Sequence, residues 1–378
     1  KHFKVFLSFF LYAFCLSAIF PRLGDIQLQM NVSKSMLGLA LIGAPTGVQL
    51  SLMFSNKVLK NLNFKQVMLA GIPILGFAEI MASTSTEPLA FFCWLLLAGL
   101  AIGLIEIVVN LEADRVEYEI NKRIMNRSHA FWSLGFFVSA TLGAIFSQLS
   151  LSPPLHLSFT FVVATLLTIV SLSGYEESIP RFKSGLHSPA FVKPSRAISL
   201  MVIFTLSAML LEGAIFDWSV IFMRDVFQTS PFVNGLALVL GCLSQFTIRF
   251  FADGFIDRHG AEKVVRFSLL LLGLGAIFVS FAPSPNIALL GFAMIGVGNG
   301  VIFPVAISSA AQRNDRSASE NIASLAQLSF ITFLLAPPLL GLVADNFGIR
   351  VSFGLSIPLV ALSWMNIGSI KSESKPII

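Results

Sequence analysis

Charge is scarce in this sequence. Only 12% of its 378 residues are Asp, Glu, Lys or Arg, against the ~25% typical of a soluble chain, which excludes a water-facing globular surface. Cysteine is scarcer still: Cys15, Cys93 and Cys242 show no paired or metal-ligand spacing, so there is no basis for a disulfide framework or a zinc site. The five histidines form no His/Asp/Glu cluster or nucleophile–base pair inside the apolar runs; no metal, no cofactor and no enzymatic centre are expected. Basic residues do not gather with aromatics on a soluble segment, so no nucleic-acid surface is expected either. A P-loop is missing, and the Gly-rich "IGVGNG" at 295–300 sits in an apolar run with no strand before it, which suits close helix packing better than a nucleotide.

What remains is apolar. Hydrophobic residues make up 55% of the chain and mean hydropathy is +0.83. Twelve runs approach the ~20 residues a helix needs to cross a bilayer core: roughly 5–23, 36–57, 66–83, 89–110, 129–150, 156–173, 198–220, 233–252, 264–282, 286–308, 320–342 and 350–369. A barrel would show alternating segments of about ten residues, not unbroken runs such as "LLLLGLGAIFVSFA" at 269–282. The first run is long for a signal peptide and has no small-residue cleavage site, so it reads as a retained span. With both termini in the cytoplasm, 21 of the 25 basic residues fall inside and only Arg22, Lys34, Arg224 and Arg350 outside, as the positive-inside rule requires. The expected fold is an all-α polytopic membrane protein in the lipid bilayer, a monomer, with 12 transmembrane helices.

The longest polar stretch, "GYEESIPRFKSGLHSPAFVKPSR", divides the chain near its midpoint. We read 1–174 as an N-terminal six-helix bundle, 175–196 as a cytoplasmic linker and 197–378 as a C-terminal six-helix bundle. One offset of 197 residues superposes the halves: "SNKVLKNLNFKQVML" (55–69) falls on "ADGFIDRHGAEKVVR" (252–266), and Gly99 and Gly103 fall on Gly296 and Gly300. Two pseudo-symmetric halves about an axis along the membrane normal enclose a site at their interface, exposed alternately by rocking.

Twelve spans in 6+6 form, with "ADGFIDRHGAEK" between spans 8 and 9, resemble the major facilitator superfamily. "GLIEIVVN", "MNRSHAFWSLG", "LEGAIFDWSVIF" and "IRFFADGFIDRHG" resemble its YbjJ-like branch, related to fucose permeases. The resemblance implies a transporter of the bacterial inner membrane, and a cytoplasmic gate motif at Asp253, Arg258, Gly260 and Lys263. The first copy departs from the motif, with Asn56 and Asn63 where Asp and Gly are usual.

Polar residues within the spans are the candidate site. Gly99, Gly103, Glu106 and Asn110 share one face of span 4; a carboxylate facing lipid costs at least ~2.5 kcal/mol, so the face is expected to turn inward. Glu106 is either a proton or solute site or an ion pair with Arg115 or Arg127. Span 7 offers Glu212 near mid-depth, on a stripe with Thr205, Ala208 and Ser219 that suits a cavity wall. Span 5 opens with His129 and Trp132, an imidazole able to exchange protons and a ring able to stack on a solute. Asn299 and Gln327 complete the uncharged set. Nearer the outer surface, Arg22 is paired with Asp25 or guards the outer mouth, and Asp217 is a partner for Arg224 or a helix cap. The function expected is secondary active transport of a small polar, sugar-like solute, coupled to protons. Efflux of amphipathic compounds is the alternative, and a non-transporting receptor a more distant one.

Overall fold

The computed structural model describes residues 1–59, 62–122, 124–178, 193–313, 315–316 and 318–370. They form α1 (His2–Leu16), a 3-10 turn (Phe20–Arg22), α2 (Leu23–Met30), α3 (Lys34–Leu41), α4 (Gly43–Val58), α5 (Phe64–Ser83), α6 (Pro88–Ile120), α7 (Met125–Gln148), α8 (Pro153–Leu172), α9 (Arg196–Phe227), α10 (Pro231–His259), α11 (Ala261–Phe281), α12 (Pro285–Ala311), α13 (Ala318–Phe347), α14 (Ile349–Gly354), α15 (Ser356–Met365) and a last 3-10 turn (Ile367–Ile370). Among the described residues, eleven stretches are long and apolar enough to cross a membrane. The twelfth pass is the broken α14–α15. Most of the segment read as the linker, 179–192, lies outside the described residues.

Proline sets the breaks. Its ring clashes with the carbonyl four residues back, and α1 stops just before Ser17, four before Pro21; α3 ends at Leu41, four before Pro45; α14 ends at Gly354, four before Pro358. Three passes are thereby kinked or divided.

Burial is inverted relative to a soluble protein. Large apolar side chains such as Leu166, Val170, Phe267 and Phe281 are exposed, while Ser17, Ser83, Thr160, Ser207 and Ser219 are buried. Lipid gives no hydrophobic drive between helices, so close backbone approach through small residues replaces it. A side chain at Gly99 would strike the Ala44 carbonyl and Gly47 of α4, and one at Gly296 would strike the Gly241 carbonyl and Ser244 of α10. Each residue of the second set is 197 beyond its counterpart in the first. The glycine matches are thus equivalent helix contacts: α6 on α4, and α12 on α10.

The bundle has two ends. One, the basic face, carries the turns after α4, α6 and α10; the opposite face carries those after α2, α5, α7, α9 and α11. The halves meet where α3 lies along α13 and where α7 lies along α10, whereas α4 parts from α13 toward the basic face.

Candidate functional site

The strongest concentration of buried polarity is in the second half. Glu212 on α9 receives a hydrogen bond from Gln245 Nε2 (2.5 Å) and an ion pair from Arg249 Nη2 (3.2 Å), both on α10. The side chains of Glu212 and Arg249 are 12% and 16% exposed, so each charge has little water to replace the other. Asn299 on α12 closes the group with its amide, which donates to the Ala208 carbonyl and accepts from the Glu212 N–H, both at 3.2 Å. Arg249 also donates to the Gly300 carbonyl (3.4 Å) and, across the boundary between the halves, to Ser133 Oγ on α7 (3.2 Å). Three helices of one half and one of the other are therefore joined at a single guanidinium. Glu212, Phe216, Gly241, Gln245 and Gly296 border a space too narrow to admit water.

Beside this group runs an aromatic ladder. Trp132 packs on Phe136 (4.3 Å between centroids), Phe136 on Phe216 (4.8 Å) and Phe216 on Phe20 (5.5 Å), so rings of α7, α9 and the first 3-10 turn line the boundary. His129 is edge-on to Phe9 (5.3 Å) and within electrostatic reach of Arg249.

A second constellation lies in the first half. Asn110 Nδ2 donates to Glu106 Oε1 (3.0 Å) and to the Glu106 carbonyl (2.8 Å), and the buried Tyr12 hydroxyl of α1 donates to the same carboxyl. All of these partners are neutral.

The predicted residues thus separate into two groups. Glu106 and Asn110 come together; Glu212 and Asn299 come together, with His129 and Trp132 on the facing helix. Gln327 is half-buried on α13, two residues before Ser329, whose hydroxyl meets Thr205 Oγ1 at 3.1 Å.

Several expectations are corrected. Arg115 does not pair with Glu106; its guanidinium goes to Glu112 (3.5 Å) and Glu177 (3.9 Å), and Arg127 is exposed. Of the two readings of Arg22, the structure shows the pair with Asp25 (2.7 Å); the side chain is 2% exposed and also donates to the Leu151 carbonyl (2.6 Å). Asp217 is not joined to Arg224, which serves Asp225, the Gly24 carbonyl and Gln27. Asp217 is half-buried without a partner among the described residues. Of the stripe expected to wall a cavity, Glu212 borders the narrow space on α9, while Thr205, Ala208 and Ser219 are buried in helix packing. In the motif after α10, Gly260 takes φ +81° and its N–H bonds the Ile256 carbonyl (2.8 Å), making the turn into α11. Arg258 and Lys263 are exposed, and no described carboxylate pairs with Arg258.

Gln245, Arg249 and Tyr12 escaped the sequence reading, because their importance lies in which helix they face, whereas Ser133 was legible on the span-5 face of His129 and Trp132. Glu79 escaped as well. This carboxyl on α5 is 3% exposed with no partner among the described residues, and its signal was available as the lone charge in "GIPILGFAEIMAS".

Comparison with known proteins gives a consistent picture. The family model for the Major Facilitator Superfamily matches residues 197–370. The chain is 27% identical over 346 residues to an uncharacterised transporter of Sinorhizobium fredii, covering 90% of this chain and 91% of that one. It is 23% identical over 350 residues to an uncharacterised MFS-type transporter of Yersinia pestis, covering 92% and 90%. The crystal structure of a D-xylose–proton symporter superposes with a TM-score of 0.77 at 12% identity, covering 99% of each chain. Both sequence likenesses run nearly end to end, and among the described residues every regular element is a helix. Residues 197–370 thus match the major facilitator superfamily, a family of transporters and not of enzymes, and over nearly its whole length the chain is similar to proteins named as transporters.

Proposed function

We propose that this secondary transporter moves a small polar solute in exchange for, or together with, protons. Residues 1–174 and 197–378 act as the two rocking bodies. The observation that carries the reading is Arg249, held by Glu212 in its own half and by Ser133 in the other. Rocking the halves must break the Ser133 bond, so whatever changes the hold of Glu212 on Arg249 bears directly on the boundary that moves.

The two carboxylates suit different tasks. Protonating Glu212 would strand a buried guanidinium, which is costly, so it fits solute recognition or an ion pair that opens when solute supplies a replacement partner. Among the described residues Glu106 is met only by neutral donors, so it can take or lose a proton without stranding a cation, as a proton site requires. Gln245, Asn299 and Ser133 offer the mixed donors and acceptors that a hydroxylated solute needs, and Trp132 offers a stacking face. The resemblance to the YbjJ-like, fucose-permease-related branch points the same way.

With the basic face in the cytoplasm and the protein a monomer in a bacterial inner membrane, the closed opposite face makes this the state shut to the outside. A proton moving inward then contributes about 2.3 kcal/mol per 100 mV. The ladder of Trp132, Phe136, Phe216 and Phe20 favours a second reading, export of amphipathic compounds.

The test is the pH change on adding sugars, organic acids or amphipathic cations to purified protein at low buffer capacity. We expect a solute-dependent proton signal that disappears in Glu106→Gln, while Glu212→Gln weakens solute affinity. A full proton response in both variants would overturn the coupling, and a response to amphipathic cations alone would select the export reading.

A further inference from the structure

The ties between the halves at the face opposite the basic one repeat each other. Asp345, near the end of α13, accepts from the backbone N–H of Lys34 (3.1 Å) and of Ser35 (2.7 Å), the first two residues of α3. Gln148, the last residue of α7, accepts through Oε1 from the N–H of Phe232 (3.0 Å), the second residue of α10. Adding 197 to 148 gives 345, and adding 197 to 35 gives 232. Each half therefore satisfies, from the end of one of its helices, the free N–H groups that begin a helix of the other.

The surroundings repeat too. Ser33 and Ser230, again 197 apart, are the N-caps of the two receiving helices. Gly38 and Gly235 hold the same relation, and at both there is no room for a side chain: one lies against the Pro337 carbonyl and the other against Ala144, in each case across the boundary. Between the two caps, Lys34 pairs with Asp225 (2.9 Å), and Arg224 donates to the Gly24 carbonyl and to Gln27 Oε1, both at 2.8 Å.

The pair is unequal in one respect. Asp345 presents two carboxylate oxygens to two N–H groups, whereas Gln148 presents one neutral oxygen to one. A carboxylate is also favoured at a helix start by the aligned peptide dipoles, and a neutral amide gains much less. We infer that this face is held shut by a reciprocal clasp of helix caps, and that its strength is concentrated at Asp345 on α3. The inference is independent of which solute is moved and of proton coupling.

The test is the rate at which a water-soluble thiol reagent modifies a cysteine placed behind the clasp. Ile221→Cys serves, since Ile221 is fully buried against Gly24 in the boundary and can react only when this face opens. Cys93, which is exposed, is replaced by serine, and an exposed control, Thr86→Cys, monitors the reagent. Loss of one charged cap corresponds to about a fivefold shift in an equilibrium, so Asp345→Asn should raise the rate by that factor. Gln148→Ala should raise it by less. Gln148→Glu, which supplies the missing charge, should lower it and does not depend on tolerating a loss. An unchanged rate in Asp345→Asn, or Gln148→Glu that fails to slow labelling, overturns the clasp.

Discussion

Arg249 joins an ion pair in its own half to a hydrogen bond across the boundary. Removing one partner of a buried ion pair leaves the other charge without water or counter-charge, at a cost of about 3–5 kcal/mol. We therefore expect Arg249→Ala to lower thermal stability in detergent by an amount of that order. The double variant Arg249→Gln with Glu212→Gln should recover most of it, because two amides can hydrogen-bond each other. If the double variant melts no higher than Arg249→Ala, the pair does not hold the site together. At this scale the sequence was only partly legible. Composition made every intramembrane carboxylate conspicuous, so Glu106 and Glu212 could be found from their apolar flanks. Their partners could not, since Tyr12 lies 94 positions before Glu106 and Gln245 lies 33 after Glu212. Arg249 reads as one more inward-side basic residue until α10 is laid against α9.

Helices and turns were far more legible. Long apolar runs fixed the starts of the spans to within a few residues, although α6, α9 and α10 run seven to ten residues past their predicted ends, and the rule that proline displaces the carbonyl four back accounts for the division of three spans. What hydropathy could not show was the twelfth pass broken at Gly354, because a break leaves the average unchanged. The glycines differ by location, and one substitution should act in three ways. Gly99→Ala and Gly296→Ala press a methyl onto a carbonyl of the neighbouring helix and should each cost about 1–3 kcal/mol. Gly260→Ala meets no neighbour, yet must adopt φ +81°, a strain of roughly 1–2 kcal/mol that Gly260→Asn should partly relieve. Gly254→Ala, in open space within α10 and at an ordinary φ, should stabilise by up to about 1 kcal/mol. Melting temperatures of the four variants check the order, and a destabilised Gly254→Ala would contradict it.

For the whole molecule, the 197-residue offset was visible in the sequence through one loop and a few glycines, and the structure gives the same offset in helix starts: Phe64 with Ala261, Pro88 with Pro285. Which face looks into the cell rests on the distribution of lysine and arginine. An impermeant thiol reagent added to spheroplasts should therefore label Thr86→Cys, on the closed face, and leave Leu62→Cys on the basic face untouched; both positions are exposed, and the reverse pattern would invert the molecule.

Residues 27 and 224 are two copies of one position, and they touch. In a symmetric assembly only a site on the rotation axis can meet its own copy, so the Arg224–Gln27 bond marks where that axis leaves the closed face. Two separate, identical six-helix chains would have to place the same side chain on both sides of it, and an arginine there would confront an arginine. Joining the copies in one polypeptide removes that constraint. A cation can then be matched with an amide oxygen at the centre, and an acidic cap on one flank with a neutral one on the other, which no homodimer of such halves could achieve.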